Sequence, residues 1–417
     1  MRIAVFTNQF PSRTSTFFAR DMRPLLDSGI ELDIFPIYPL DANLWRYVPD
    51  ILNQDVLPRS RVHHLGTVDI LRFAMRPNVL HPARFIRDVA AVSASAIKFG
   101  VGPVAKSAYV FMKALSWAQR AGRDYDHVLA YWGNYAGTCA YIFHRLLRQE
   151  IPFSIFLHAG IDLYENQVYL RQKLLYADNI ITCSKFNRQF LHDRFSDVFP
   201  VISEKIHVHQ HGLDFTQFLY EPEDRLPRRI LGVGSLEKYK GFEYLLLSAA
   251  ELIRRGVKVE VELVGDGKEE QALKNLAKKL AILDNVKFRG WLHPEEVRKA
   301  MRNATALVHP SPDLGDGVPN VIKEAMALGT PVIASSVAGI PELLANGRNG
   351  ILVPAKDVKA LAHSIETILS QEQLRRTYAK AARKHAEKEF DLWRAGRCLA
   401  DLLSSTTRLK AGSLRSF

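Results

Sequence analysis

Short apolar runs alternate with longer segments of helical period along the whole chain, a pattern that predicts an α/β protein with parallel sheets. In the first half, strands are expected at residues 3–6, 32–37, 127–130, 153–157, 179–182 and 205–208, with helices between them, including 137–147 and 185–195. A polar, proline-bearing stretch at 219–229 interrupts the rhythm. A second series follows, with strands at 230–233, 258–264, 286–288, 304–308, 331–334 and 351–353. Its helices are expected at 241–255, 267–281, 294–302, 319–328, 340–345 and 357–369. The division expected is a first Rossmann-like domain at 1–210, a linker at 211–229 and a second Rossmann-like domain at 230–389. A closing helical segment takes 390–404, and a polar, basic tail, expected to be flexible, takes 405–417. No internal repeat is visible beyond the shared architecture.

Composition narrows the class without naming it. At 417 residues the chain supports two full cores, because single cores rarely grow past ~250–300 residues. Three well-separated cysteines (Cys139, Cys183, Cys398) argue against a disulfide framework and for a reducing, cytoplasmic compartment. No cysteine–histidine spacing suits zinc. No apolar run reaches ~18 residues without a charge, and the N-terminus reads as a first strand, not a signal peptide. The formal charge of +12 calls for a partner. Basic residues interleave with apolar and aromatic ones at 59–64, 75–88 and 98–123, which fits a peripheral helix on the anionic inner face of a membrane. An ordinary solvated face fits as well. Nucleic acid is not the expected partner, since no recognition motif accompanies the charge.

The chemistry concentrates at 309–335, HPSPDLGDGVPNVIKEAMALGTPVIAS. An apolar strand ends in a Pro- and Gly-rich loop, Pro319 stands where a first helical position would be, and Gly329 stops the helix. Such a helix aims its free N–H groups, here near Val318, Pro319, Asn320 and Val321, at the carboxyl ends of parallel strands, where phosphates bind. Asp316 and Glu324 flank that site, eight positions apart. A ligand carrying both phosphates and hydroxyls suits it, as a nucleotide-sugar does. Upstream, VGSLEKYKG places Gly234 at a strand end, where backbone can approach a ligand, and Lys240 beside the turn, where it can neutralise phosphate. Gly232/Gly234 and Gly265/Gly267 each begin a dinucleotide fingerprint, but Glu237 and Glu270 occupy the third glycine positions. A nicotinamide enzyme is therefore not expected. Asp124-Tyr125-Asp126 precedes its strand instead of ending it, and no metal is expected there.

These landmarks resemble glycosyltransferase family 4, a retaining family of GT-B fold. The resemblance is carried by GVPNVIKEAMALGTPVIAS, VGSLEKYKGFEYLL (233–246), LVGDGKEEQALKNLA (263–277), VKFRGWLHPEEV (286–297), FSIFLHAGIDL (153–163) and KIHVHQHGLDFTQF (205–218). It covers most of 150–370. The resemblance implies two Rossmann-like domains facing across a cleft, and a UDP- or GDP-linked sugar as donor. Lys240 would meet the diphosphate, together with Gly234, Ser235, Gly265 and Gly317. Glu324 would accept from ribose hydroxyls, Asp316 from hydroxyls of the donor sugar, and His158 would lie near the reacting carbon.

Two departures stand out. Ser235 replaces the family's usual arginine, leaving Lys238, Arg289 and His211 as candidates to compensate, and Asp316 replaces a longer glutamate. The family's paired glycines after the first strand are missing. Residues 8–18, NQFPSRTSTFF, instead are similar to a subgroup common among surface-polysaccharide transferases, with Phe10, Pro11, Thr16 and Phe17 matching and Thr14 in place of serine. Ser15 and Thr16 fit either a ligand-binding turn or a helix cap, and Asp162 and Arg20 are weaker candidates of the same kind. The expected acceptor is a hydroxyl of a glycan or lipid-linked molecule in cell-surface polysaccharide synthesis. A non-catalytic sugar-nucleotide-binding protein, or another GT-B enzyme such as an epimerase or phosphorylase, stays open.

Overall fold

The computed structural model describes the chain apart from residues 13–15, 49–51, 53–54, 75–81, 121–123, 148–149, 166, 223–224 and 416–417. It divides into two compact units. The first holds Met1–Cys183, Asn187–Gly212 and Leu392–Phe417; the second holds Ser184–Phe186 and Leu213–Asp391.

The first unit is built on β1 (Arg2–Thr7), β2 (Glu31–Pro36), β3 (His127–Ala130), β4 (Phe153–Leu157), β5 (Asn179–Thr182) and β6 (Ile206–Val208). All pair in parallel, in the order β2-β1-β3-β4-β5-β6. Strands covered on both faces need continuous apolar runs, and β1, β3 and β4 are buried almost throughout. Helix α1 (Thr16–Asp27) follows β1. Between β2 and β3 come α2 (Thr67–Ala74), α3 (Pro82–Ile97) and α4 (Val101–Arg120), and α5 (Tyr135–Leu146) follows β3.

The basic segments of this half serve more than one purpose. Of 59–64, Arg61 and His63 pair with Asp33 on β2 at 3.2 and 2.6 Å, beside Arg2 at 2.6 Å. The sequence KSAYVFMKALSWAQR is no surface helix in its second half, because Val110, Phe111, Ala114, Leu115 and Trp117 lie in the core. Even Lys113 is buried there, with its ammonium donating to the carbonyls of Pro36 and Ile37 at 3.2 and 2.7 Å. Burial pushes its pKa down to about 8. The exposed charge of these segments thus shrinks to the first turns of α4 and the exposed face of α3. Residues 75–81 of the basic stretch 75–88 lie outside the described residues.

The last helix runs Leu392–Arg415. Residues expected as a flexible tail from 405 are therefore helical to Arg415. They are anchored through Thr407 to His127 at 3.0 Å, Asn179 to Thr406 at 3.0 Å and Lys410 to Asp178 at 2.9 Å. Polar side chains that read as solvated in the sequence have buried polar partners on β3 and β5.

The second unit uses β7 (Arg229–Val233), β8 (Glu260–Val264), β9 (Val286–Phe288), β10 (Ala306–His309), β11 (Val332–Ser335) and β12 (Ile351–Val353). They are parallel, in the order β12-β11-β10-β7-β8-β9. The connection reverses direction between β7 and β10, and ligands of open α/β sheets bind beyond the carboxyl ends of the strands at such a point. Helices Phe242–Arg254 and Val358–Ser370 cover one face, and Asn320–Ala327 with Glu372–Glu389 the other. Among the described residues no helix is long and apolar enough to cross a membrane.

Candidate active site

In the second unit, backbone packing brings the strand-end loops together. Gly265, just after β8, has φ of 136°, and a Cβ there would stand 1.9 Å from the carbonyl oxygen of Gly234. Gly241 has φ of 69°, and a Cβ would stand 2.2 Å from the carbonyl oxygen of Pro310. At both positions the approach leaves no room for a side chain, and at Gly265 the conformation disfavours one as well. The loop after β7 is thereby held against the loops after β8 and β10.

On this floor sits a charged triad. The ammonium of Lys240 bonds to Oδ2 of Asp316, and Nε2 of His309, the last residue of β10, lies 2.7 Å from the same oxygen. Ser311 Oγ is 3.1 Å from that nitrogen. Burial would raise the Asp316 carboxyl, but Lys240 and His309 overcome it and hold the group well below the usual carboxylate range. Burial lowers His309 in spite of Asp316.

Pro319 is the residue before the helix Asn320–Ala327, one position earlier than its expected place. Asn320 Oδ1 is buried there with no hydrogen-bond partner among the described residues. Glu324 is half-buried on the same helix, and the backbone of Gly317 accepts from Gly339 N at 2.9 Å. Ser235 Oγ lies 2.9 Å from Tyr239 Oη. Of the candidates to replace the missing arginine, Arg289 pairs with buried Glu262 at 2.6 Å, Lys238 is exposed, and His211 belongs to the first unit, on Asp21.

The first unit presents a different site. His158 follows β4 and is buried among rings: Phe156 and Trp132 each at 4.4 Å between centroids, Tyr131 at 4.8 Å, His211 at 5.2 Å and Phe17 at 5.6 Å. Neither of its ring nitrogens makes a hydrogen bond among the described residues, although Nδ1 lies 3.5 Å from Asp162. Asp162 spends its carboxylate on backbone N–H groups, of Gly133 at 3.2 Å, His158 at 3.0 Å and Ala159 at 2.9 Å, and so shapes the loop instead of a ligand. A buried imidazole with open nitrogens is satisfied by a polar ligand such as a hydroxyl.

Beneath it lies a network that the residue patterns did not single out. Asp21 accepts from Tyr131 Oη at 2.6 Å and meets His211 Nδ1 at 2.8 Å and His209 Nε2 at 3.2 Å. Burial opposes the charge, but His211 and His209 keep Asp21 well below the carboxylate range. Cys183 Sγ is 3.6 Å from His211 Nε2. Two arrangements here are close enough to hold a cation; in His158, Cys183 and His211 the rings of the two histidines stack 14° from parallel, and in Asp21, His209 and His211 both rings are hydrogen-bonded to the carboxylate. Arg20 is buried on α1, which starts at Thr16; Ser15 and Thr14 lie outside the described residues. His309 has the one signal that would have revealed it: like His158, it terminates an apolar strand.

Comparison with known proteins agrees with this architecture. Residues 221–385 match the family model described as Glycosyl transferases group 1. An amylovoran biosynthesis glycosyltransferase of Erwinia amylovora is 27% identical over 420 residues, 97% of this chain and 99% of that one. A putative colanic acid biosynthesis glycosyltransferase of Escherichia coli is 31% identical over 210 residues, covering 48% of this chain and 52% of its own. A sucrose-phosphate synthase from Thermosynechococcus elongatus superposes with a TM-score of 0.73 at 20% identity, over 97% of this chain and 98% of that one. An Anabaena protein solved with UDP and glucose gives 0.69 at 20% identity, over 97% and 100%. Two parallel sheets shared over the full length show the GT-B fold, the family model lies on the second of them, and a glycosyltransferase is similar to this chain from end to end.

Proposed function

We propose that the chain is a retaining glycosyltransferase of family 4 that moves a sugar from a UDP- or GDP-linked donor to a hydroxyl of a glycan or lipid-linked acceptor in cell-surface polysaccharide synthesis. The observation that carries this reading is the Lys240–Asp316–His309 triad at the carboxyl ends of β7 and β10, the reversal point of the second sheet. Relatives named for amylovoran and colanic acid biosynthesis support the polysaccharide context. A solved relative of the fold holding UDP-glucose supports a nucleotide-sugar donor.

In this reading the arriving diphosphate competes with Asp316 for the Lys240 ammonium. The pair keeps the lysine extended and desolvated beforehand, so little reorganisation is needed as the leaving group gains charge. Backbone N–H groups of Val318, Asn320 and Val321 and the partial positive end of the helix Asn320–Ala327 add to that stabilisation. Glu324 accepts from the ribose hydroxyls, and Asp316, once Lys240 turns to phosphate, accepts from hydroxyls of the sugar. Gly234, Ser235, Gly265 and Gly317 let backbone close on the donor. His158 takes a hydroxyl near the reacting carbon, and the acceptor attacks on the face from which the diphosphate leaves, retaining configuration. The protein acts on the cytoplasmic side, with a basic surface of its first half against the membrane.

Thermal-shift measurement against a panel of nucleoside-diphosphate sugars identifies the donor, since binding to the folded state raises apparent stability. Transfer or donor hydrolysis is then compared between wild type and Glu324→Ala. Equal turnover in the two removes Glu324 from the site. A stabilising donor with no turnover under any acceptor favours a sugar-nucleotide-binding protein, the alternative that Ser235 and Asp316 motivate.

A further inference from the structure

The ring of Trp132 is aimed by its backbone, and that backbone is gripped from both sides. Gly133, the next residue, donates its N–H to Oδ2 of Asp162 at 3.2 Å, and its carbonyl accepts from the Lys173 ammonium at 2.6 Å. A Cβ on Gly133 would stand 2.3 Å from Leu157 Cδ2 and 2.8 Å from the carbonyl oxygen of Asp162, so the turn passes where no side chain fits. The same Asp162 carboxylate accepts from His158 N at 3.0 Å. One acid therefore ties the turn after β3 to the turn after β4. It sets the indole of Trp132 against the His158 imidazole, 4.4 Å between centroids and 34° between planes.

Lys173 holds the far side. It lies on the helix Leu170–Tyr176 with no exposed surface, and each of its three ammonium protons has an acceptor. These are the carbonyls of Gly133 and Asn134, at 2.6 and 3.2 Å, and Thr138 Oγ1 at 3.1 Å. None is a carboxylate. Burial draws its pKa down to about 7, although Asp162 favours the charge. A methionine would fill the same space without a buried charge. It would also leave two carbonyls beside Trp132 without this donor. What the ammonium adds over methionine is the fixed position of that turn.

Trp132 lines a cavity of about 240 Å³ together with Asn8, Phe17, Tyr38 and Ile161. Pockets for drug-sized ligands run to roughly 300–1,000 Å³, so this smaller one suits a single pyranose ring. An indole supplies a flat apolar face, the complement of the C–H face of such a ring. Asn8 Oδ1 is buried with no hydrogen-bond partner among the described residues, and a hydroxyl would satisfy it. We infer that Trp132, packed on His158, is the platform for a sugar ring of the acceptor, and that Asp162 and Lys173 are the positioning residues that aim it. That the ring belongs to the acceptor rests on the proposed glycosyl transfer; that the cavity takes a sugar ring does not.

Saturation-transfer NMR on the full chain tests this with methyl hexopyranosides, and with glycerol as a polyol that has no ring. In wild type, saturation should fall on the C–H face of at least one methyl hexopyranoside and not on glycerol. Trp132→Ala should weaken that binding on the order of 10-fold, and Trp132→Phe should restore most of it. Lys173→Met should weaken the same binding severalfold and change the near-UV circular dichroism of tryptophan, while still melting cooperatively. Thr138→Val, which removes one of the three acceptors, should do the same by less. No saturation of any methyl hexopyranoside, equal saturation of glycerol, or undiminished binding by Trp132→Ala would overturn the platform. Wild-type binding and a wild-type tryptophan spectrum in Lys173→Met and Thr138→Val would overturn the positioning role. Sugar binding without turnover of any nucleoside-diphosphate sugar would instead count against glycosyl transfer and leave the platform standing.

Discussion

The two units share parallel six-stranded sheets, yet they build their sites in opposite ways. In the second, the chemistry lies within one span of about 90 residues, Gly234 to Glu324, and rests on backbone: glycines let three strand-end loops touch, and a single triad of charge is set on them. In the first, the site is collected from the ends of five elements, with Asp21 from α1, Tyr131 after β3, His158 after β4, Cys183 after β5, and His209 and His211 after β6. Backbone contact tolerates few residue types and so leaves a motif. A cage of side chains is met by many combinations and leaves none.

The comparison breaks most visibly at Gly265. Gly265→Ala combines a positive φ with a Cβ 1.9 Å from a carbonyl oxygen, and backbone has no far end to swing away. The loss of stability should be on the order of 4 kcal/mol or more, the range that marks a specific steric cause. Calorimetry reads it, and a variant that melts and binds donor like wild type would refute the account of the second unit as a backbone-built site.

Next in size is Lys240. Lys240→Ala removes the group proposed for the diphosphate and leaves Asp316 with His309 alone. Turnover should fall on the order of 100-fold or more, as when one preorganised donor to a developing anion is lost. The carboxyl of Asp316 should rise toward its ordinary range, because Lys240 is the largest influence opposing its burial. Adding Asp316→Asn should recover part of the stability lost, with a coupling of about 1 kcal/mol or more. Additive losses would mean that the pair does not act as a unit.

This contrast also explains what the sequence disclosed. The strands of both sheets fall on the apolar runs within a residue or two, because strands buried on both faces must be continuously apolar. Lys240 and Asp316 were legible from a motif, but their bond to each other was not, since nothing in the spacing of 76 positions says that they meet. Asp21 was invisible. One of two acids in the helix TFFARDMRPLLD, it stands in no pattern, and its partners lie 110 to 190 positions away. The helical end of the chain was hidden for a related reason: Thr406, Thr407 and Lys410 are polar, and only their partners Asn179, His127 and Asp178 make that polarity fit.

Charge in the first unit has a structural use as well, and acid separates it from chemistry. Asp33 is buried, which would raise its carboxyl, but His63 and Arg2 bring it down to about 2. A depressed carboxylate contributes stability that is fully present above its unfolded value near 3.8 and lost as pH falls from there to about 2. The amount is ~2 kcal/mol, at 1.36 kcal/mol per unit. Chemical denaturation of wild type should show this loss across that window, and Asp33→Asn should reduce the slope by Asp33's share, leaving that of Asp21 and Asp316. Because Asp33 lies on β2 away from either site, the variant should keep the wild-type pH profile of transfer. A shifted profile would tie the first unit's structural charge to its chemistry.

The smallest change sharpens the comparison from the other side. Ser235 stands where the resemblance to family 4 leads one to expect arginine, and its hydroxyl meets Tyr239 Oη at 2.9 Å. If the second unit's site is a set of separable parts on a fixed backbone, Ser235→Arg adds a second cation without disturbing the triad. KM for the donor should then fall several-fold, within the ~1.5–3 kcal/mol of one charge-assisted hydrogen bond less the cost of ordering the longer side chain. kcat should hardly move, because a cation that meets ground state and transition state alike strengthens binding uniformly. A rise in KM would assign Ser235 and Tyr239 to the binding surface itself. Equivalent additions in the first unit, such as a cation at Tyr131, should cost stability instead, because each of its rings is held by neighbours from other strands and none can change alone.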